Sequence, residues 1–147
     1  MSTPLNIRED IFQDLVSFSA QTFNLPPLSS KIYAYLVFDF DRNGISFDDL
    51  VEVFCASKSS ISSNVNLLLS RKLIRDFSKI NERKRLFVIN EIFQRLRFEQ
   101  IIDKLEREVQ ILDKLKDFHG KPDEKLEIYR ELLANNITSI KQSLSKL

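Results

Sequence analysis

Short polar side chains recur at helical spacing within residues 57–70. At 3.6 residues per turn, four of them project to one side: Ser59, Ser63, Asn66 and Ser70. The opposite side is apolar: Ile61, Val65 and Leu68. Hydroxyl and amide groups both donate and accept hydrogen bonds, and short side chains let a helix approach another surface closely. The major groove of DNA is such a surface, although a solvated helix of poor propensity is the simpler interpretation.

The segments around this serine-faced helix predict a helix-turn-helix followed by a hairpin. Ser57 is a suitable N-cap, and residues 47–54 predict a short helix that Cys55-Ala56 joins to it. Residues 73–77 and 85–89 are rich in branched and aromatic side chains and predict two β-strands. The polar, basic loop between them is expected to form a wing, whose cations would contact phosphates or the minor groove. A solvated hairpin tip is the alternative for this loop.

Charge is unevenly distributed, which supports a polyanionic partner. The chain of 147 residues has a net charge of +1. Residues 1–57 carry a net charge of −5, residues 58–97 carry +7, and residues 98–147 carry −1. A local basic patch is the electrostatic footprint of nucleic-acid binding even in a nearly neutral protein. The candidate DNA-contacting residues are Lys58, Ser59, Ser60, Ser62, Ser63, Asn66, Lys79, Asn81, Arg83, Lys84 and Arg85.

The first third of the chain predicts two further helices, at residues 5–23 and 30–38, the second capped by Ser29 or Ser30. Residues 39–44 resemble the start of a calcium-binding EF-hand loop. The twelfth position of that loop is Leu50, where a bidentate Glu is needed, so a turn is the better interpretation. A short strand is expected at Ile45-Ser46. Several aromatic residues could line a pocket but are more simply core: Phe18, Phe23, Tyr33, Tyr35 and Phe38.

Two long helices are predicted after the wing. Residues 90–118 contain no Pro or Gly and carry an apolar stripe, and a second stripe follows the break at residues 119–122. The two helices can pair within one chain, but a C2 partner would cover the apolar surface that remains. The predicted dimerisation residues are Ile7, Ile11, Leu15, Leu105, Val109, Leu112, Leu133, Ile137, Ile140 and Leu144.

Composition argues against several other classes of protein. No run of residues is long and apolar enough to span a membrane, and no secretory signal is apparent, so a cytoplasmic location is expected. The chain has one Cys and one His, no glycine-rich phosphate loop and no metal-ligand spacing, so we expect neither an enzyme nor a cofactor. Cys55 is expected to be a buried small hydrophobe, and a reducing compartment suits a single cysteine.

Residues 28–89 resemble the winged helix-turn-helix of the MarR superfamily, nearest its GbsR-type branch. The segments that carry the resemblance are Lys31–Leu36, Phe47–Leu50, Ser57–Ser62, Leu67–Ile74 and Arg83-Lys84. The resemblance implies a bacterial transcription regulator, usually a repressor, that binds a palindromic operator as a homodimer. Many members carry a basic residue where this chain has Ser63, which leaves the strength of DNA binding open.

The expected fold is mainly α with a small β-hairpin wing: a winged helix-turn-helix flanked by N- and C-terminal dimerisation helices. Residues 1–27 would form an N-terminal helix for dimerisation or core, 28–90 the DNA-binding domain, and 91–147 the remaining dimerisation helices. A small-molecule effector that alters the angle between the long helices is a hypothesis. The alternatives are a winged-helix adaptor that binds protein rather than DNA, and a coiled-coil subunit of a larger assembly.

Overall fold

The computed structural model describes residues 4–147, which form six helices and three short strands in two compact units. The first unit extends to Glu91 and the second begins at Ile92. The first contains these elements: α1 (Glu9–Thr22), α2 (Pro27–Val37), β1 (Ile45–Ser46), α3 (Phe47–Phe54), α4 (Lys58–Ser70), β2 (Ile74–Phe77) and β3 (Leu86–Ile89). The second contains α5 (Ile92–His119) and α6 (Glu124–Leu144). The expected mainly helical class with a small β-hairpin is confirmed.

Two helix starts differ from the sequence-based prediction. α1 begins at Glu9 instead of residue 5, so Ile7 precedes the helix and does not belong to its apolar stripe. α2 begins at Pro27, because proline is well suited to the first turn, where its missing N–H costs nothing. Ser29 and Ser30 therefore lie inside α2 and are fully buried, and neither is its N-cap.

The three strands form one antiparallel sheet in the order β1-β3-β2. Ile45 pairs with Phe87, and Ile74 pairs with Ile89 at the other edge of β3. β3 is central and contributes Leu86, Phe87 and Val88 to the core. The β2–β3 hairpin is therefore attached to the helical body through β3, the central strand of the sheet. The loop of residues 78–85 extends beyond the paired region.

Residues 39–44 form the turn that the sequence favoured over a calcium loop. The buried Asp39 carboxylate accepts hydrogen bonds from the backbone N–H groups of Asn43 (3.2 Å) and Gly44 (2.9 Å). Gly44 adopts φ +90°, and a Cβ there would lie 2.7 Å from Cβ of Leu86. Only glycine permits this close approach between the turn and β3.

The second unit is an antiparallel pair of helices. Ile102 and Leu112 of α5 and Leu133 and Leu144 of α6 are buried within it. Ion pairs reinforce the hairpin, with Arg130 contacting Asp113 through two hydrogen bonds of 2.5 and 3.1 Å and Lys116 contacting Glu127 at 2.8 Å. Within residues 4–147, none of the helices has the length and apolar character needed to cross a lipid bilayer.

Candidate nucleic-acid interface

Ser57 begins the serine-faced helix α4 as the sequence predicts. Its hydroxyl accepts a 3.1 Å hydrogen bond from the N–H of Ser60, which satisfies one of the free donors in the first turn. The same hydroxyl lies 3.0 Å from Oγ of Ser60, and the Ser60 side chain is half-buried. Ser60 therefore contributes to the cap, whereas the neighbouring Lys58 and Ser59 are exposed.

The polar face of α4 is exposed along its whole length. It comprises Ser59, Ser62, Ser63, Asn66 and Ser70. Ser63 donates to the carbonyl oxygen of Ser60 at 3.3 Å, and Ser70 donates to that of Leu67 at 2.8 Å. These two hydroxyls keep free lone pairs and can accept from a ligand. Ser62 and Asn66 have no side-chain hydrogen bond to residues 4–147, so both their donors and acceptors are available.

The opposite face of α4 fixes the helix to the body of the unit. Ile61, Val65 and Leu68 are each at most 2% exposed. A polar contact at the edge of this face also sets the position of the helix, because the buried Ser29 hydroxyl donates to Oδ1 of Asn64 at 2.7 Å. The amide nitrogen of Asn64 then donates to the carbonyl oxygen of Ser60 at 2.7 Å. Asn64 was not among the predicted site residues, although the helical spacing already placed it off the exposed face.

The turn between α3 and α4 differs from the sequence-based prediction in one respect. Cys55 is exposed, not buried. It ends α3 in the left-handed conformation with φ +49°, and this geometry directs the side chain away from the core that Leu50 occupies. Its thiol lies 3.6 Å from the carbonyl oxygen of Glu52, at the end of the preceding helix.

The wing presents a row of exposed basic side chains. Lys79, Arg83 and Lys84 are exposed and form no ion pair with the described residues, and the same is true of Lys58 on α4. Arg85 differs, because its Nε lies 2.8 Å from Asp76 across the hairpin and its guanidinium lies over the ring of Phe87. Asn81, the remaining predicted contact residue in this loop, is exposed and adopts φ +68°.

A cluster of charges holds the base of the wing. Glu91 follows β3, and its carboxylate lies 3.2 Å from Nε of Arg42 and 3.9 Å from Nε of Arg75 on β2. The carboxylate accepts hydrogen bonds from its own backbone N–H and from Arg42. Both lower the pKa of this carboxyl, and the bond from the backbone has the larger effect. Arg42 also donates to the carbonyl oxygen of Asp39 at 2.8 Å. The cluster therefore connects the turn of residues 39–44 to the hairpin.

Comparison with known proteins identifies the fold. No protein-family model matches the sequence, and no curated protein matches it. A crystal structure of a transcriptional regulator is similar with a TM-score of 0.57 at 17% identity, covering 94% of this chain and 95% of that chain. The chain has a winged-helix fold.

Other solved structures are similar with TM-scores below 0.5. One is MepR, a transcription regulator of the Staphylococcus aureus multidrug efflux pump MepA, with a TM-score of 0.46, 17% identity and coverage of 92% and 91% of the two chains. Another is a MarR/EmrR family transcriptional regulator from Acinetobacter sp. ADP1, with a TM-score of 0.44, 18% identity and 89% coverage of each chain.

Within the winged-helix unit, helices α3 and α4 carry charges of opposite sign. The exposed cations of α4 and the wing loop that lack an ion-pair partner among residues 4–147 are Lys58, Lys79, Arg83 and Lys84. α3 carries only acidic charged residues: Asp48, Asp49 and Glu52. A polyanion would therefore be attracted to α4 and the wing and repelled by the outer surface of α3.

The predicted dimerisation residues in the second unit lie mainly between its own two helices. Leu112, Leu133 and Leu144 are buried there, and the others are half-buried: Leu105, Val109, Ile137 and Ile140. In the first unit, Ile11 is 42% exposed and Leu15 is half-buried. A different set of apolar side chains on α5 and α6 is exposed: Ile111, Leu115, Ile128 and Leu132.

The aromatic residues near α2 divide into two groups. Tyr35 and Phe38 are buried, and Tyr35 packs edge-to-face on Phe54, which supports the core interpretation for these two side chains. Burial raises the pKa of the Tyr35 hydroxyl. Phe18 is 49% exposed and contacts Phe23, which in turn contacts Tyr33.

Proposed function

We propose that this chain is a DNA-binding transcriptional regulator of the MarR superfamily. One observation carries the proposal: an exposed face of hydroxyl and amide groups on α4 belongs to the same compact unit as a wing in which Lys79, Arg83 and Lys84 have no ion-pair partner within residues 4–147. The first feature suits base edges in the major groove, and the second suits phosphates.

The two kinds of residue would contribute differently. Contacts of Lys58, Lys79, Arg83 and Lys84 with phosphates would provide most of the affinity. Ser59, Ser62, Ser63 and Asn66 would contact bases, with Asn66 giving the sharpest preference because its amide can pair with adenine at two positions. Serine donates and accepts equally well, so we expect modest discrimination along the rest of the helix. The Ser57–Ser62 segment, which supports assignment to the GbsR-type branch, lies at the end of α4 that would enter the groove first.

We propose that the regulator is a homodimer that binds a palindromic operator and acts as a repressor. Four of the exposed apolar residues on α5 and α6 support self-association: Ile111, Leu115, Ile128 and Leu132. Each helix contributes two of them four residues apart, which places them in a stripe. Two-fold symmetry would place two copies of α4 in successive major grooves about 34–36 Å apart. A small molecule that changed the dimer geometry would change this spacing and release the DNA, which is how we propose that an effector acts.

The test is an electrophoretic mobility shift with the DNA immediately upstream of the gene, at low and moderate salt, with unrelated duplex as competitor. We expect a shift that survives the competitor and weakens steeply with salt, with a log–log slope of about −0.9 per phosphate contacted. Absence of binding to any duplex at low salt would overturn the proposal.

A second candidate function is a winged-helix adaptor that binds another protein. The observation that favours it is the wholly acidic charge of α3, which is unfavourable wherever that helix approaches phosphates. An adaptor would show no salt-dependent affinity for duplex DNA, so the same titration distinguishes the two functions.

A further inference from the structure

The apex of the wing is an apolar side chain. The carbonyl oxygen of Lys79 accepts a 3.0 Å hydrogen bond from the N–H of Glu82, which closes a four-residue turn. Asn81, at the third position, has φ +68°, the positive value that a type II turn requires there. Ile80 therefore occupies the second position, and its side chain is 91% exposed.

The position of Ile80 is what makes its exposure informative, since single exposed apolar side chains are common. A β-branched residue at the apex of a tight turn gains nothing from the fold, because it contacts almost nothing in the chain. Around it are Lys79, Arg83 and Lys84, all without an ion-pair partner among the described residues. The wing therefore combines a small apolar apex with three available cations.

The minor groove of DNA matches this combination. Its walls are sugar–phosphate backbones, whose phosphates attract cations and whose deoxyribose rings offer apolar surface, and its floor is formed by base edges. A protein partner would need a larger apolar area than one side chain, and the other residues of the loop are polar or charged. Glu82 is the one anion of the loop, against the four cations Lys79, Arg83, Lys84 and Arg85, so the loop as a whole remains positive. The charge and the size of the patch both favour the groove.

We propose that Ile80 inserts into the minor groove as the specificity-determining residue of the wing, contacting deoxyribose faces and base edges while the adjacent cations neutralise the flanking phosphates. This inference rests on the proposed function. It predicts a preference for A·T base pairs under the wing, because the 2-amino group of guanine projects into the minor groove and would meet an apolar side chain. The wing would thus add the sequence preference that the serines of α4 lack.

The experiment compares the wild-type chain with Ile80→Ser on a duplex that the wild-type protein binds. We expect Ile80→Ser to weaken binding roughly five- to tenfold through loss of apolar burial, with an unchanged salt slope because no charge is removed. Phe40→Ser is the matched control, since Phe40 is 74% exposed in the same unit but belongs to the turn of residues 39–44. Phe40→Ser should bind as the wild type does.

Base substitution under the wing supplies the second measurement. Replacing A·T pairs with G·C should weaken the wild-type complex, and inosine·C pairs, which lack the 2-amino group, should restore it. Ile80→Ser should respond less to these replacements. Equal affinity of wild type and Ile80→Ser would overturn the inference while leaving the proposed function intact.

Two further outcomes would also count against the inference. A changed salt slope in Ile80→Ser would mean that the substitution had displaced the cations, and a changed oligomeric state would mean that Ile80 contacts a second copy of the chain. No binding of the wild-type protein to any duplex would overturn the proposed function itself.

Discussion

The hydroxyl of Ser29 on α2 donates a 2.7 Å hydrogen bond to Oδ1 of Asn64 on α4. Ser29 is fully buried, so its hydroxyl has no access to water. The bond fixes α4 against the helix that carries much of the core. Two residues further along α4, Asn66 is exposed. The same residue type therefore has a positioning role at one site and is available to a ligand at the other.

Asn64→Ala should destabilise the winged-helix unit. It leaves the buried Ser29 hydroxyl without a partner, which costs about 1–3 kcal/mol. Thermal unfolding should show a lower melting temperature.

Asn66→Ala is the matched control for stability and a test of base contact. It should change the free energy of unfolding by less than about 0.5 kcal/mol. It should also relax the preference at one base step, measured by binding to a panel of single-base variants. A uniform loss of affinity on all of them would show that Asn66 does not contact a base.

Arg83→Ala should weaken binding to all duplexes about equally, because phosphate contacts carry no sequence information. The slope of log affinity against log salt should become shallower by about 0.9. Arg85→Ala should change the slope less, since Arg85 already lies 2.8 Å from Asp76. An equal change in slope for both variants would contradict the division between paired and unpaired cations in the wing.

Gly44→Ala should be strongly destabilising. The left-handed φ of +90° and the 2.7 Å approach to Cβ of Leu86 together predict a cost of about 2–5 kcal/mol. Gly120→Ala is the control, because Gly120 also has a positive φ but no atom lies within 4 Å of its added Cβ. Its cost should be only about 1–2 kcal/mol. If chemical denaturation showed equal losses of unfolding free energy for the two variants, the close approach to β3 would contribute nothing to the cost of Gly44→Ala.

Leu132→Asp and Ile111→Asp should each convert the proposed dimer to a monomer. Ile111 lies one turn after Glu108 and Leu132 one turn after Tyr129, and the Tyr129 hydroxyl donates to the Glu108 carboxylate. The two apolar residues therefore lie along the same edge of the hairpin. A charge there would be desolvated by a partner at high cost.

Analytical ultracentrifugation provides the measurement for these two variants. Gln110→Asp places the same charge on an exposed position of α5 outside the stripe and should leave the oligomeric state unchanged. A dimer that persisted in both Leu132→Asp and Ile111→Asp would place the interface elsewhere.

Acid should weaken the α5–α6 hairpin through Asp113. Its hydrogen bond from Arg130 holds the pKa of Asp113 below the ordinary value of 3.8. A carboxyl with a lowered folded-state pKa stabilises the fold above the unfolded pKa, and this contribution is lost as the pH falls through the folded pKa. The melting temperature should therefore fall as the pH is lowered from about 5 to 3. The melting temperature of the Asp113→Asn variant should fall less over the same interval. Identical pH profiles would exclude Asp113 as a contributor.

Local patterns in the sequence predicted the helices and the hairpin because caps, breaks and apolar periodicity are properties of neighbouring residues. Ser57 capped α4 as expected, and the break near Gly120 separated α5 from α6. The pairing of β1 with β3 and the contact of Ser29 with Asn64 join residues far apart in sequence, and no local pattern specifies such partners.

The candidate site was predictable to a similar extent. Helical spacing identified Ser59, Ser63 and Asn66 as one face, and all three are exposed. Spacing did not show that the left-handed backbone at Cys55 turns its thiol outward, because that depends on how the chain leaves α3. Periodicity also could not show whether the apolar stripes of α5 and α6, which contain Leu112 and Leu133, pack on each other or on a second copy of the chain. The apolar pattern is the same in both cases.

The pairing of Ile45 with Phe87 has a kinetic consequence. The pairing of β1 with β3 closes a loop that contains α3, α4 and β2, and closing a long loop costs entropy before the contact stabilises the fold. The contacts between α5 and α6 need only a short connection near Gly120. Refolding should thus show helix content appearing first in the α5–α6 hairpin, with closure of the three-stranded sheet as the slower event.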